Sequence, residues 1–125
     1  MKIQFSAIAC SLLLLVSCAK DTKQVKRSWA AYKVTVDGVD SSAAWTKGPY
    51  IETYGENDVY SFSGDPNGKK GTGDYQWTSG VAIKRSGVDN QASMEINVLK
   101  VTGKEFEYKV QLNGKQYEFK FKKYN

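Results

Sequence analysis

The chain has 125 residues, a length that predicts one small domain. Hydrophobic residues make up 41% of it and charged residues 25%, which is typical of a folded protein and excludes wholesale disorder. Histidine is absent and the two cysteines are Cys10 and Cys18, so the composition excludes His-based triads and His/Cys zinc sites. We expect no cofactor and no metal. The formal net charge of +5 is spread along the chain, a pattern that predicts no nucleic-acid partner.

The first residues are typical of a secretory signal peptide. Lys2 supplies a positive charge, and residues 3–16 form a mostly apolar run that is too short to span a bilayer. Residues 15–18 (Leu-Val-Ser-Cys) resemble the lipobox of bacterial lipoproteins, whose cysteine thiol accepts a diacylglyceryl group and becomes the first residue after cleavage. The alternative is an ordinary signal peptide in which Cys18 has no special role.

The lipobox resemblance implies how the chain is divided into segments and where in the cell the protein is located. We predict a lipoprotein signal peptide at residues 1–17, lipid attachment at Cys18, a polar tether at residues 18–27 and a single domain at residues 28–125. The implied partner is the membrane, and the implied location is the bacterial cell envelope. Ala19 follows the cysteine where inner-membrane lipoproteins of enteric bacteria have Asp, so the resemblance favours the outer membrane.

From residue 28 onward the sequence predicts short β-strands separated by turn signals. Asn113-Gly114 is the strongest hairpin signal, and the residues on both sides of it alternate between apolar and charged. In Met94–Val101 the apolar set changes face at Val98-Leu99, which indicates a β-bulge. The predicted strands are 29–36, 50–54, 59–62, 74–78, 81–85, 93–101, 105–112 and 115–123. Residues 40–48, 64–73 and 86–91 are predicted loops.

These strands predict an all-β fold. No amphipathic helix separates them, and a parallel sheet needs longer crossovers than the chain provides. A consecutive antiparallel meander is therefore the simplest topology, and eight strands remove their free edges by closing into a barrel. We predict a small eight-stranded antiparallel up-and-down barrel without substantial helix.

The order of several segments resembles the lipocalin-like domain of small bacterial lipoproteins. Trp29 follows the tether on the first strand, residues 54–60 look like the family's aromatic hairpin, residues 73–77 look like its Trp-bearing middle strand, and residues 96–106 look like its C-terminal apolar hairpin. The resemblance covers almost all of the predicted domain. The Gly-x-Trp opening and C-terminal helix of large lipocalins are missing, which argues against a large ligand cavity.

Strand alternation predicts a set of inward-pointing aromatic side chains. They would either line a pocket for a small apolar or amphipathic ligand or fill the barrel completely, since eight strands leave just enough room for side chains. The candidate ligand-binding residues are Trp29, Tyr60, Phe62, Trp77, Phe106, Tyr108, Tyr117 and Phe119.

Two loops hold further candidates. Trp45 could stack on a sugar or cover the open end of the barrel. The segment Asp65-Pro66-Asn67-Gly68 lacks the spacing of a calcium loop, and the neighbouring glycines lack that of a phosphate loop, so we predict a plain turn. Both loops are expected near one end of the barrel.

The sequence leaves three classes of function open. The preferred one is a membrane-anchored, non-catalytic module that binds a small apolar or amphipathic ligand, and the alternative is an envelope structural or interaction protein with a filled core. A hydrolase or lyase would need carboxylates, but no nucleophile–base pair is visible. The candidates Glu52, Glu95, Glu107 and Glu118 alternate with apolar residues, as solvent-facing strand positions do. We therefore predict no catalytic residues.

Overall fold

The computed structural model describes residues 22–88 and 92–124. Residues 1–17 and Cys18, predicted as signal peptide and lipid attachment site, lie outside them. The strands are β1 (Ser28–Val36), β2 (Val39–Asp40), β3 (Ile51–Tyr54), β4 (Val59–Ser63), β5 (Lys70–Trp77), β6 (Ala82–Ser86), β7 (Met94–Val101), β8 (Glu105–Leu112) and β9 (Lys115–Tyr124). The helices are α1 (Ser42–Thr46) and two 3-10 helices, Thr22–Val25 and Glu56–Asp58.

Eight of the strands close into an antiparallel barrel. From β3 to β9 each strand pairs with the next one in the chain, and β1 closes the ring by pairing with both β3 and β9. The two-residue strand β2 folds back on the end of β1. The predicted all-β, eight-stranded meander is confirmed, with β2 as one additional short strand.

The C-terminal hairpin of β8 and β9 has the predicted register. Leu112 pairs with Lys115 around the turn, and Phe106 pairs with Phe121 six rungs away. Asn113 and Gly114 both have positive φ (52° and 78°), the conformation that a two-residue turn needs to match the twist of its strands. Turn chemistry and alternation thus specify the same pairing.

Two bulges bend the barrel wall. The ladder between β7 and β8 shifts between Val98 and Lys100, as predicted, and Leu99 lies on the outside. A second shift lies in β1 between Ala31 and Lys33, and it turns Tyr32 outwards.

Part of one predicted loop is a strand, because its glycines indicate turns when only composition is considered. Residues 64–73 were expected to be a loop, but β5 begins at Lys70, and Gly73 pairs with Tyr60 of β4. A Cβ atom on Gly73 would lie 2.4 Å from the carbonyl oxygen of Ser86. This glycine therefore allows two strands of the sheet to approach each other closely and does not form a turn. The predicted loop at 40–48 likewise contains helix α1.

The N-terminal 3-10 helix covers one end of the barrel, which we call the closed end. Val25 is fully buried there and accepts a hydrogen bond from Trp29 Nε1 to its carbonyl oxygen (3.0 Å). Arg27 donates from Nη1 to the carbonyl oxygen of Gly103 (2.6 Å) in the β7–β8 turn. The described part of the predicted tether therefore packs against the barrel. None of the described helices has the length and apolar character needed to cross a bilayer.

Aromatic side chains fill the half of the barrel next to the closed end. Phe106 and Phe121 stack at 5.6 Å between ring centroids, and the Trp29 and Tyr54 rings each lie about 5.5 Å from that of Phe106. All four side chains are fully buried. This half of the barrel is a packed core.

The hairpin register can be tested at Phe119, which is 2% exposed in the centre of β9. We expect Phe119→Ala to lower the free energy of unfolding by about 3–5 kcal/mol, because a large buried ring is removed. Lys123→Ala, at an exposed position of the same strand, should change it by no more than about 0.5 kcal/mol. Urea denaturation measures both, and a loss below about 1 kcal/mol for Phe119→Ala would contradict the register.

Candidate functional site

A cavity of about 350 Å³ occupies the half of the barrel opposite the closed end. Its mouth lies among the loops β2–β3 and β4–β5 and the ends of β6 and β7, and we call this the loop end. The volume falls in the range of small-molecule sites. The aromatic side chains on its walls are Trp45, Tyr50, Tyr60, Phe62, Tyr108 and Phe119.

Trp45 forms part of the rim of this cavity. Helix α1 places the indole edge-on against Tyr50 and against Phe119, each at 4.9 Å between ring centroids. The indole is half-buried and lines the cavity. Trp45 thus lies at the loop end, in the position expected for a residue that covers an open barrel.

The β4–β5 turn forms another part of the rim. Asp65 Oδ1 accepts hydrogen bonds from the backbone N–H groups of Asn67 (2.9 Å) and Lys69 (2.7 Å), an arrangement that confirms the predicted turn. Asp65, Asn67 and Lys69 all border the cavity. The mouth therefore carries one acidic and one basic side chain beside a polar amide.

A buried carboxylate lies beneath the cavity. Glu52 of β3 is fully buried, and its Oε1 accepts a hydrogen bond from the Tyr54 hydroxyl (2.7 Å). Its Oε2 accepts from the hydroxyls of Tyr50 (2.6 Å) and Tyr108 and from Nη1 of Arg85 (2.9 Å). Four donors thus surround the two oxygens.

Arg85 of β6 is the cationic partner of Glu52 and is only 7% exposed. Besides Glu52, its Nη1 contacts the hydroxyl oxygen of Tyr60 (3.0 Å) and, at longer range, those of Tyr54 and Tyr108. Its Nη2 donates to the thioether sulfur of Met94 (3.0 Å). The guanidinium also lies 4.6 Å from the ring centroid of Tyr60. Unlike Glu52, Arg85 forms part of the cavity lining.

The ionisation states follow from burial and from this pairing. Burial raises the pKa of Tyr50, Tyr54 and Tyr108 well above the ordinary tyrosine value, and the nearby Glu52 carboxylate raises it further. Burial lowers the pKa of Arg85, but attraction to Glu52 together with the interactions with the surrounding tyrosines outweighs it and leaves that pKa above its ordinary value. At neutral pH the hydroxyls are protonated donors and Arg85 is a cation.

The structure divides the eight predicted ligand-binding residues. Tyr60, Phe62, Tyr108 and Phe119 line the cavity. The other four do not line it: Trp29 and Phe106 belong to the filled half, Trp77 is half-buried at the far end of β5, and Tyr117 packs beside Phe119 and Trp45. Alternation specifies the inward face but not the height along the barrel.

The expectation that Glu52 faces solvent is wrong. Glu95 is exposed and Glu107 and Glu118 are half-buried, whereas Glu52 points inwards. The signal was its position two residues from both Tyr50 and Tyr54, because residues at this spacing share a face of a strand. Arg85 has the same relation to the buried residue Ile83.

Beside the cavity, β7 and β8 separate. Their ladder runs from Val101–Phe106 to Asn97–Lys109, and beyond it Met94 and Ile96 pair with β6 but not with β8. The resulting groove of about 530 Å³ shares Met94, Val110 and Leu112 with the cavity lining. The two spaces therefore share part of their lining.

The described residues contain no group of three or more His, Cys, Asp or Glu side chains placed to hold a metal ion. No family model matches the chain, and no curated protein matches it.

The Glu52–Arg85 pair can be tested by changing one partner and then both. We expect Glu52→Gln to lower the free energy of unfolding by about 3–5 kcal/mol, because it leaves the Arg85 cation buried without a counter-charge. The double variant Glu52→Gln/Arg85→Met should be less destabilised than Glu52→Gln alone.

Glu95→Gln, at an exposed position, is the matched control and should change stability by no more than about 0.5 kcal/mol. Urea denaturation of the wild-type protein and these variants measures the changes, and adding Arg85→Met completes the double-mutant cycle that gives the coupling between the two residues. If Glu52→Gln lowers the free energy of unfolding by less than about 1 kcal/mol, the ion pair does not stabilise the core as expected.

Proposed function

We propose that this chain is an exported lipoprotein, attached to the bacterial outer membrane through Cys18, whose lipocalin-like barrel binds a small apolar or amphipathic molecule without converting it. The observation that carries the binding proposal is the cavity of about 350 Å³ at the loop end. Its walls are mostly aromatic and aliphatic side chains, with the Arg85 guanidinium at the floor and a few polar side chains at the mouth, as in sites that bind small molecules. The anchor rests on the lipobox of residues 15–18.

The hydrogen bonding of Glu52 supports binding over catalysis. A general base must reach the proton that it abstracts. Glu52 does not line the cavity, and both of its oxygens already accept hydrogen bonds from tyrosines, one of them also from Arg85. Its role is to hold Arg85 and the tyrosines in place.

The binding proposal is tested with two probes, decanoate and menadione, titrated into the purified protein. We expect saturable quenching or a shift of tryptophan emission with at least one of them, because Trp45 lines the cavity. Val110→Phe should weaken binding at least ten-fold by filling the cavity, whereas Val59→Phe, the same change at an exposed strand position, should not. If neither probe changes the emission and calorimetry detects no binding, the structural or interaction role takes precedence.

The anchor is tested by substituting each cysteine. Wild-type protein and Cys10→Ser should sediment with membranes and incorporate a labelled fatty acid, because a diacyl anchor gives stable attachment. Cys18→Ser should lose the label and be released or remain an uncleaved precursor. Unlabelled wild-type protein in the soluble periplasmic fraction would contradict the anchor.

A further inference from the structure

The hydrogen bonds of Arg85 are distributed unevenly. A guanidinium has five N–H donors. Among the described residues, every oxygen that accepts from Arg85 is reached by Nη1, and Nη2 has only the sulfur of Met94. A thioether is a weak acceptor, so the Nη2 donors of this buried cation have no oxygen partner among the described side chains and backbone groups. Since Arg85 lines the cavity, a molecule in the cavity can supply an oxygen acceptor to Nη2.

The charges in the site indicate whether that acceptor is an anion or a neutral oxygen. Glu52 already neutralises Arg85 at 2.9 Å, and the buried tyrosines are uncharged. A carboxylate on the ligand would place a second anion near Glu52 in a buried site, and like charges in such positions repel each other. An uncharged carbonyl oxygen accepts from Nη2 without this cost.

The side chains that line the cavity indicate the chemical character of the rest of the ligand. Aromatic rings from β4, β8, β9, α1 and the loop before β3 surround the space next to Arg85, among them Phe62, Tyr108 and Phe119. Such walls favour flat rings, which they contact by stacked and edge-on packing. Met94, Val110 and Leu112 complete an apolar side.

We infer that the ligand is an uncharged aromatic carbonyl compound, such as an aryl ketone or a quinone, whose oxygen accepts a hydrogen bond from Arg85 Nη2 in place of Met94. This inference rests on the proposed binding function and names its ligand class. Arg85 is then the residue that determines specificity, and Glu52 is a positioning residue that keeps the guanidinium in place.

Three naphthalene derivatives of similar size test the inference by calorimetry on the purified wild-type protein. Acetylnaphthalene carries a neutral acceptor, ethylnaphthalene carries none and naphthoic acid carries a carboxylate. We expect the Kd of acetylnaphthalene to be at least about ten-fold lower than the Kd of each of the other two compounds. A hydrogen bond from a charged donor contributes at least that factor to the affinity.

The outcomes separate the two proposals. Equal binding of acetylnaphthalene and ethylnaphthalene, or tightest binding of naphthoic acid, would overturn the carbonyl inference but leave a binding cavity. No binding of any of the three, together with no binding of decanoate or menadione, would overturn both proposals.

A variant series locates the effect at Arg85. In Glu52→Gln/Arg85→Met, which keeps the pair of positions neutral, acetylnaphthalene should bind no better than ethylnaphthalene. Lys84→Met makes the same kind of change at the adjacent exposed position of β6 and should preserve the wild-type preference. Circular dichroism checks that each variant is folded. A preference that survives in the folded double variant would contradict the role of Arg85, and the wild-type series decides the ligand class if that variant does not fold.

Discussion

The ion pair between Glu52 and Arg85 is the interaction on which the interior of the barrel depends. Placing two charges in a protein core costs several kcal/mol each unless the pair is close and its remaining hydrogen-bonding groups are satisfied. Here the separation is 2.9 Å, and hydroxyls of Tyr50, Tyr54 and Tyr108 complete the shell around the carboxylate. The pair joins β3 to β6, and the tyrosines extend it to β8. Strands that are distant in the ring are thus held together through the middle of the barrel.

This polar cluster also separates the two halves of the interior. Below it, Tyr54 contacts Phe106 and Tyr75 in the filled half, at 5.5 and 5.0 Å between ring centroids. Above it, Tyr108 and Arg85 face the cavity. The residues that stabilise the centre therefore also form the floor of the site, so the polar groups at the floor of the cavity are held in place by the core itself.

How much of this could be predicted depends on the range of the interactions. The β8–β9 hairpin was predictable because Asn113-Gly114 and the alternation beside it are local signals, and the bulge at Leu99 was visible as a change of face. Gly73 was misread because its role, close approach to Ser86, depends on a neighbouring strand. Glu52 was misread because a carboxylate is stable inside only when a cation such as Arg85 meets it, and 33 residues separate the two in sequence.

The cavity was still less accessible to sequence reasoning. Trp29 and Tyr60 both point inwards, yet the first lies in the packed half and the second lines the cavity. The difference is height along the barrel, which is set by strand register and by the N-terminal 3-10 helix that covers the closed end. Composition and alternation contain no information on that height, because a filled barrel and a half-filled barrel have the same pattern of inward residues.

The two ends of the barrel give the proposed anchor a geometric consequence. Thr22, where the described chain begins, belongs to the helix that covers the closed end, and Cys18 precedes it by only four residues. Four extended residues span about 14 Å at most, so a lipid on Cys18 would be attached near the closed end. The cavity mouth, with Trp45 and Asp65, lies at the other end. A protein held in this way would present its mouth away from the bilayer, and a ligand would reach it from the aqueous side.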